Sequence, residues 1–169
     1  KGNGSANIDL PLTPTDDRLD VPSVAFTYEI VQNDSDWKKT IHAYYAEVSL
    51  IDTQIGYVLD ELDRQNLWSN TIVVFISDHG QHLGEHNGLW LKQTLFKESI
   101  EVPMIVCVPG KAPGVCSGLT ELVDLYPTLT ELCGFPKLPG LEGYSFVKLL
   151  DNPGKAWKRA VFSQVQRQN

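Results

Sequence analysis

Hydrophobic positions recur at two periods along the chain and divide it into a long helix, short strands and loops. Trp37, Ile41, Tyr44, Val48, Ile51, Ile55, Val58 and Leu62 fall at alternating three- and four-residue steps, one apolar stripe on an amphipathic helix. Asp34, Ser35 or Asp36 is the candidate N-cap, and no proline interrupts the pattern before Leu67. At 1.5 Å per residue about 28 residues extend roughly 40 Å, enough to lie along a whole sheet. The other polar groups on the helix, including Tyr45 and Asp52, read as packing and surface groups.

Asn66 to Asn70 turns the chain into an apolar, β-branched run, Ile72 to Ile76, with the composition of a fully buried strand. A second such strand is Val102 to Val108, with Pro103 confined to its first residues because a ladder interior needs the missing N–H. Between them Thr94 to Ser99 is a short helical candidate. Downstream, Leu119 to Val123 reads as a short strand, and Asp124 as the N-cap of a helix from Leu125 to Cys133 ended by Gly134 and Pro136. Ser145 to Leu150 reads as a helical run and Ala160 to Val165 as an edge strand. Residues 1–35, with Pro11, Pro14 and Pro22, read as an extended arm. Helices alternating with apolar strands predict an α/β fold, a layered mixed sheet with flanking helices.

Composition narrows the function classes. The 169 residues are those of about one globular domain. A net charge of -7 without a Lys/Arg cluster excludes nucleic acid and anionic membrane as partners, so an anionic substrate needs a local cation. No apolar run approaches the roughly 20 residues that span a bilayer, and the N-terminus has no hydrophobic signal core. Cys107, Cys116 and Cys133 suggest neither a disulfide framework nor a zinc ribbon. Asn3-Gly4-Ser5 and Asn33-Asp34-Ser35 are sequons, usable only in a secretory cell.

The candidate chemistry sits where the first strand stops, at Ser77-Asp78-His79-Gly80, because ligands in open α/β sheets bind outside the strand ends. Asp78 and His79 offer a carboxylate oxygen and an imidazole nitrogen to a divalent cation; an Asp-His pair also serves as an N-cap and a core histidine, and spacing does not decide between these. His82 and His86 lie in a loop punctuated by Gly80, Gly84 and Gly88, so their offsets from His79 need not be helical; Glu85 and His86 read as pins for that loop. A lone lysine is ordinarily a solvated surface group, but Lys92 returns toward the strand end and is placed to supply the local cation. Cys107-Val108-Pro109-Gly110-Lys111 superficially matches a Cys-x-Pro-x-basic nucleophile segment; it is rejected because Cys107 lies inside an expected buried strand and Lys111 stands where the motif needs Arg. Neither a recognisable Ser-His-Asp arrangement nor a P-loop is present.

Taken in order, Tyr44-Tyr45-Ala46-Glu47-Val48-Ser49-Leu50-Ile51-Asp52, Ser77-Asp78-His79-Gly80, Leu83-Gly84-Glu85-His86, Leu89-Trp90-Leu91-Lys92, Val102-Pro103-Met104-Ile105 and Val123-Asp124-Leu125-Tyr126-Pro127-Thr128-Leu129 resemble the sulfatases of the alkaline phosphatase superfamily, in particular the iduronate-2-sulfatase-like branch. The resemblance runs from about Trp37 to Leu150. It implies a sulfate-ester hydrolase in which a formylglycine made from Cys or Ser attacks sulfur while Ca2+ holds the sulfate. By resemblance Asp78 and His79 are metal ligands and Lys92 is the catalytic sulfate contact. The implied substrate is a sulfated small molecule or glycan, and the implied compartment exported, periplasmic or lysosomal.

The nucleophile segment, the paired aspartates and the further His and Lys of the family's first half have no counterpart here. The resemblance thus implies that residues 36–169 are the second part of a catalytic domain whose N-terminal half is the missing partner. Two donors cannot fill the six to eight oxygen positions calcium prefers, so the chain alone is expected to bind metal weakly and to hydrolyse nothing. Imidazole is an unusual calcium ligand, which keeps open a two-metal phosphodiesterase or phosphonate hydrolase with zinc, though no histidine follows His86. A catalytically silent sulfatase-like binding module is the third alternative.

Overall fold

A computed structural model describes residues 4–26 and 32–166. The long helix, α1, spans Asp34–Arg64. Its N-cap is Asn33, one residue before the expected candidates: Asn33 Oδ1 accepts from the Asp36 N–H at 3.0 Å, and Asn33 Nδ2 donates to the Asp36 carboxylate at 2.9 Å. The sequence stripe is only partly buried. Trp37 and Ile41 are packed away, while Val48, Ile51 and Val58 are exposed. The stripe is covered at its N-terminal end and half-covered at Tyr44, Ile55 and Leu62.

Strand β1 (Val73–Ile76) and strand β4 (Met104–Cys107) pair in a two-stranded sheet, with Pro103 just outside β4 as its missing N–H requires. Neither strand is fully buried, contrary to its composition. Phe75 and Ile76 are exposed, Ile105 is 62% exposed, and Cys107 is exposed as well. Composition reports what a strand is suited to pack against, whereas burial requires that the covering layer be present. Burial therefore no longer argues against Cys107 as a nucleophile. What remains is the motif itself, in which Lys111 stands for Arg and pairs with Asp151.

Between these strands lies a small hairpin that periodicity did not reveal. Strand β2 (His82–Leu83) pairs antiparallel with β3 (Trp90–Leu91), His82 opposite Leu91 and Leu83 opposite Trp90. A single turn, α2 (Glu85–Gly88), joins them, and the short helix α3 is Lys97–Ile100 rather than Thr94 to Ser99. Thr94 stays outside the helix because its hydroxyl is committed to His82 and Ser99.

By its contacts the chain forms two units. One holds residues up to 71 with 75–105 and 165–169, and the other holds 72–74 with 106–164. In the first, Trp37 packs on Trp90 with ring centroids 5.6 Å apart, and Leu89 is fully buried. In the second, the expected strand from Leu119 is instead a 3-10 turn, Leu122–Asp124, leading into α4 (Leu125–Leu132). Asp124 occupies the N-cap position of α4, as expected, but its side chain makes no cap bond to that helix. Its buried carboxylate accepts from the N–H groups of Glu121 and Tyr144 and from Lys158 Nζ, contacts that draw the backbone into a turn where a ladder was expected. Helix α5 is Val147–Asp151, and residues 160–165 form no strand.

Candidate active site

The end of β1 delivers Asp78 and His79, and the end of β3 delivers Lys92 to the same imidazole. At the turn after β1, Ser77 Oγ donates to the His79 carbonyl at 2.7 Å, and Gly80 N–H donates to the Ser99 carbonyl at 2.9 Å. Only glycine fits at position 80, because a Cβ would overlap the Glu98 carbonyl. α3 thus backs the turn that carries Asp78 and His79.

His79 Nδ1 lies 2.8 Å from the Gly80 carbonyl. A carbonyl only accepts, so Nδ1 carries the proton and Nε2 keeps its lone pair. That lone pair points at Lys92, whose Nζ donates to it. Asp78 Oδ2 sits 3.5 Å from the same Nε2, and the Asp78 side chain is 84% exposed. A carboxylate oxygen and an imidazole lone pair facing one point from 3.5 Å apart repel each other unless a cation sits against them. The Lys92 ammonium meets the imidazole nitrogen, and a carboxylate oxygen beside an imidazole lone pair also suits a divalent ion. Among the described residues no group of three or more His, Cys, Asp or Glu side chains could hold a metal ion.

The structure therefore brings together Asp78, His79 and Lys92, the three residues singled out from the sequence. It separates them from His82 and His86. His82 is fully buried and its Nε2 bonds Thr94 Oγ1 at 2.8 Å; Thr94 passes the chain on to Ser99 Oγ at 2.9 Å. Burial pushes the Glu85 carboxyl up, but the His82 imidazole at 3.6 Å and the Leu83 N–H at 2.6 Å outweigh it and hold Glu85 below the usual carboxylate range.

The loop that returns Lys92 follows an unusual backbone path. Gly84 and Gly88 are left-handed, as glycine allows, but so are His86 (φ 52°), Asn87 (φ 60°), Leu91 (φ 69°) and Gln93 (φ 68°). A non-glycine residue pays roughly 1–2 kcal/mol for that conformation. The residues on both sides of Lys92 are thus held where they would not go unaided. The groups that hold the loop, Asp17, Arg18, Thr94, Ser99 and Glu98, were not found from the sequence, since no local pattern links Arg18 to a loop 68 residues later.

The comparisons with known proteins bear on this arrangement. The family model described as Sulfatase matches residues 13–135. The chain belongs to the sulfatase family. Mouse (Mus musculus) iduronate 2-sulfatase is 39% identical over 128 residues, covering 60% of this chain and 23% of that protein. Among solved structures, the phosphonate monoester hydrolase SpPMH from Silicibacter pomeroyi superposes with a TM-score of 0.71 at 27% identity, over 76% of this chain and 26% of that one. BT4656, solved in complex with its substrate D-glucosamine-2-N,6-O-disulfate, gives a TM-score of 0.69 at 27% identity, over 75% of this chain and 26% of that one. These neighbours place the chain in the alkaline-phosphatase-like α/β fold. This sulfatase-family chain spans about a quarter of the length of the curated relatives it matches.

Proposed function

We propose that this chain is the part of a sulfuric ester hydrolase that supplies metal and sulfate contacts to a calcium-dependent, formylglycine-type site. The convergence of Asp78, His79 and Lys92 at the end of β1 carries the reading. Asp78 and His79 Nε2 would hold Ca2+ as two of its ligands. When bound, that ion supplies Lewis-acid polarisation of the sulfate and neutralises its charge. Lys92 then turns its ammonium to the sulfate oxygens and stabilises the charge that builds there as the S–O ester bond breaks, where a fixed cation contributes several kcal/mol. The His79 lone pair cannot serve Lys92 and a metal together, so with His79 holding the ion Lys92 would be free to meet the sulfate.

The exposed apolar side chains of α1, β1 and β4 support a partner that is the remainder of the same enzyme, carrying the nucleophile. The substrate class is a sulfated small molecule or glycan, in an exported, periplasmic or lysosomal setting. In the complete enzyme Lys92→Ala is expected to cut sulfate release about 100-fold or more with the fold intact; an unchanged rate removes Lys92 from the site. The 169-residue chain alone is expected to turn over no aryl sulfate.

The likeness to a phosphonate monoester hydrolase and the imidazole donor favour one second reading, a metal-dependent phosphonate or phosphodiester hydrolase of the same superfamily. Metal analysis of the complete enzyme separates the two. Stoichiometric calcium with sulfate release supports the first, and stoichiometric zinc with phosphonate cleavage supports the second.

A further inference from the structure

The loop from Gly84 to Gln93 is gripped by groups that the proposed chemistry does not use. Arg18, in the arm, spreads its guanidinium over two successive carbonyls. Its Nε donates to His86 O at 2.9 Å, its Nη2 donates to the same oxygen, and Nη2 reaches Asn87 O at 3.1 Å. These carbonyls belong to the two adjacent left-handed residues of the turn. Asp17 meets His86 Nδ1 at 2.9 Å, Phe96 stacks on the ring at 3.9 Å between centroids, and Glu98 Oε2 faces Nε2 at 3.5 Å. The His86 side chain is thereby held between the arm and α3, the element that also backs the Asp78–Gly80 turn.

A planar guanidinium fixes two carbonyls in a set geometry, which a lysine ammonium does not do. A backbone run as unfavourable as this one persists only where surrounding contacts over-determine it. The constraint reaches Lys92 along the chain: the Leu89 N–H bonds the Glu85 carbonyl at 2.9 Å, the Gly84 N–H bonds the Leu89 carbonyl at 2.9 Å, and the hairpin register then places Leu91 opposite His82. Lys92 follows directly, between the left-handed Leu91 and Gln93.

We propose that Arg18 and Asp17 are positioning residues for Lys92, clamping His86 so that the strained loop keeps the lysine beside the turn that carries Asp78 and His79. The mechanical part of this statement stands on the contacts alone; its catalytic consequence rests on the sulfatase reading. The clamp gives the arm a task, since it ties residues with no periodicity of their own to the geometry of the site.

Arg18→Ala and Arg18→Lys test it, the second keeping the charge and losing the fork. In the folded chain both are expected to speed amide exchange across residues 84–93 about tenfold and to shift trace acetylation of Lys92 relative to Lys97. Parental exchange and labelling in a folded Arg18→Lys variant overturn the clamp. In the complete enzyme Arg18→Ala is expected to lower kcat about tenfold with KM little changed, and to add nothing in a Lys92→Ala background. A further loss in that double variant means that Arg18 acts elsewhere, which also overturns the proposal. Should no variant release sulfate, the parent included, the sulfatase reading fails while exchange and labelling still decide the clamp.

Discussion

Glu85 makes the hairpin next to the site sensitive to acid. Its carboxylate accepts from the Leu83 N–H and faces the buried His82, and these contacts depress its pKa below the ordinary value of 4.5. A depressed carboxyl contributes stability that is fully present above its unfolded value and is lost as pH falls through the folded one. Protection of the amides of residues 82–91, taken relative to the unfolded chain at the same pH, is therefore expected to fall as pH drops below about 4.5. Glu85→Gln should flatten that dependence, and an equally steep profile in the variant would show that another group is responsible. At this scale the sequence was informative where chemistry follows from neighbours in the chain, as at Asp78-His79. It was silent where the partner is remote: Glu98 and Asp17 look like any surface carboxylates until the fold puts them on either side of His86.

Two elements depend on interactions that spacing alone misassigned. Asn33 caps α1, so Asn33→Ala is expected to cost about 1 kcal/mol and to lower the melting temperature by about 2–4 °C. No change in a thermal scan would show the helix start to be held by tertiary contacts instead. Asn33 is also a sequon asparagine, and a glycan on Nδ2 would leave it a single N–H beside the Asp36 carboxylate. In the second unit, Lys158 faces the buried Asp124 and also Glu121. Burial works to lower the Lys158 pKa, but the two carboxylates outweigh it and raise it above 10.5, while Lys158 holds Glu121 below 4.5. A raised lysine stabilises below its unfolded value and a lowered carboxyl above its own, so this ion cluster contributes from about pH 4.5 to 10.5 and fails on either side. Lys158→Met removes the ammonium that faces the buried Asp124, which should destabilise the unit by roughly 3–5 kcal/mol in denaturant unfolding; a near-neutral result would mean that the Glu121 and Tyr144 N–H groups hold that carboxyl without it.

The chain as a whole exposes much of what its sequence marks as interior. Val58 is 63% and Ile105 62% exposed, and Val48, Ile51 and Phe75 are also uncovered. Apolar surface of this kind behaves as an interface. The isolated chain is expected to bind a hydrophobic dye and to associate with rising concentration, measured by fluorescence and by sedimentation. A monodisperse chain that binds no dye would mean that these side chains find cover within it.

The sequence by itself determined the α1 helix, the two apolar strands with Pro103 outside β4, and membership in the sulfatase family, and it named Asp78, His79 and Lys92 as candidates, because these follow from periodicity, from proline's missing donor and from an ordered series of family motifs. Only the tertiary structure decided that Lys92 meets His79, that Arg18 and Asp17 hold the loop between them, and which faces of the strands lie open. Those outcomes turn on groups far apart in the chain and on left-handed backbone at Leu91 and Gln93, a conformation that glycine and asparagine adopt far more readily, so they arise from packing more than from local preference.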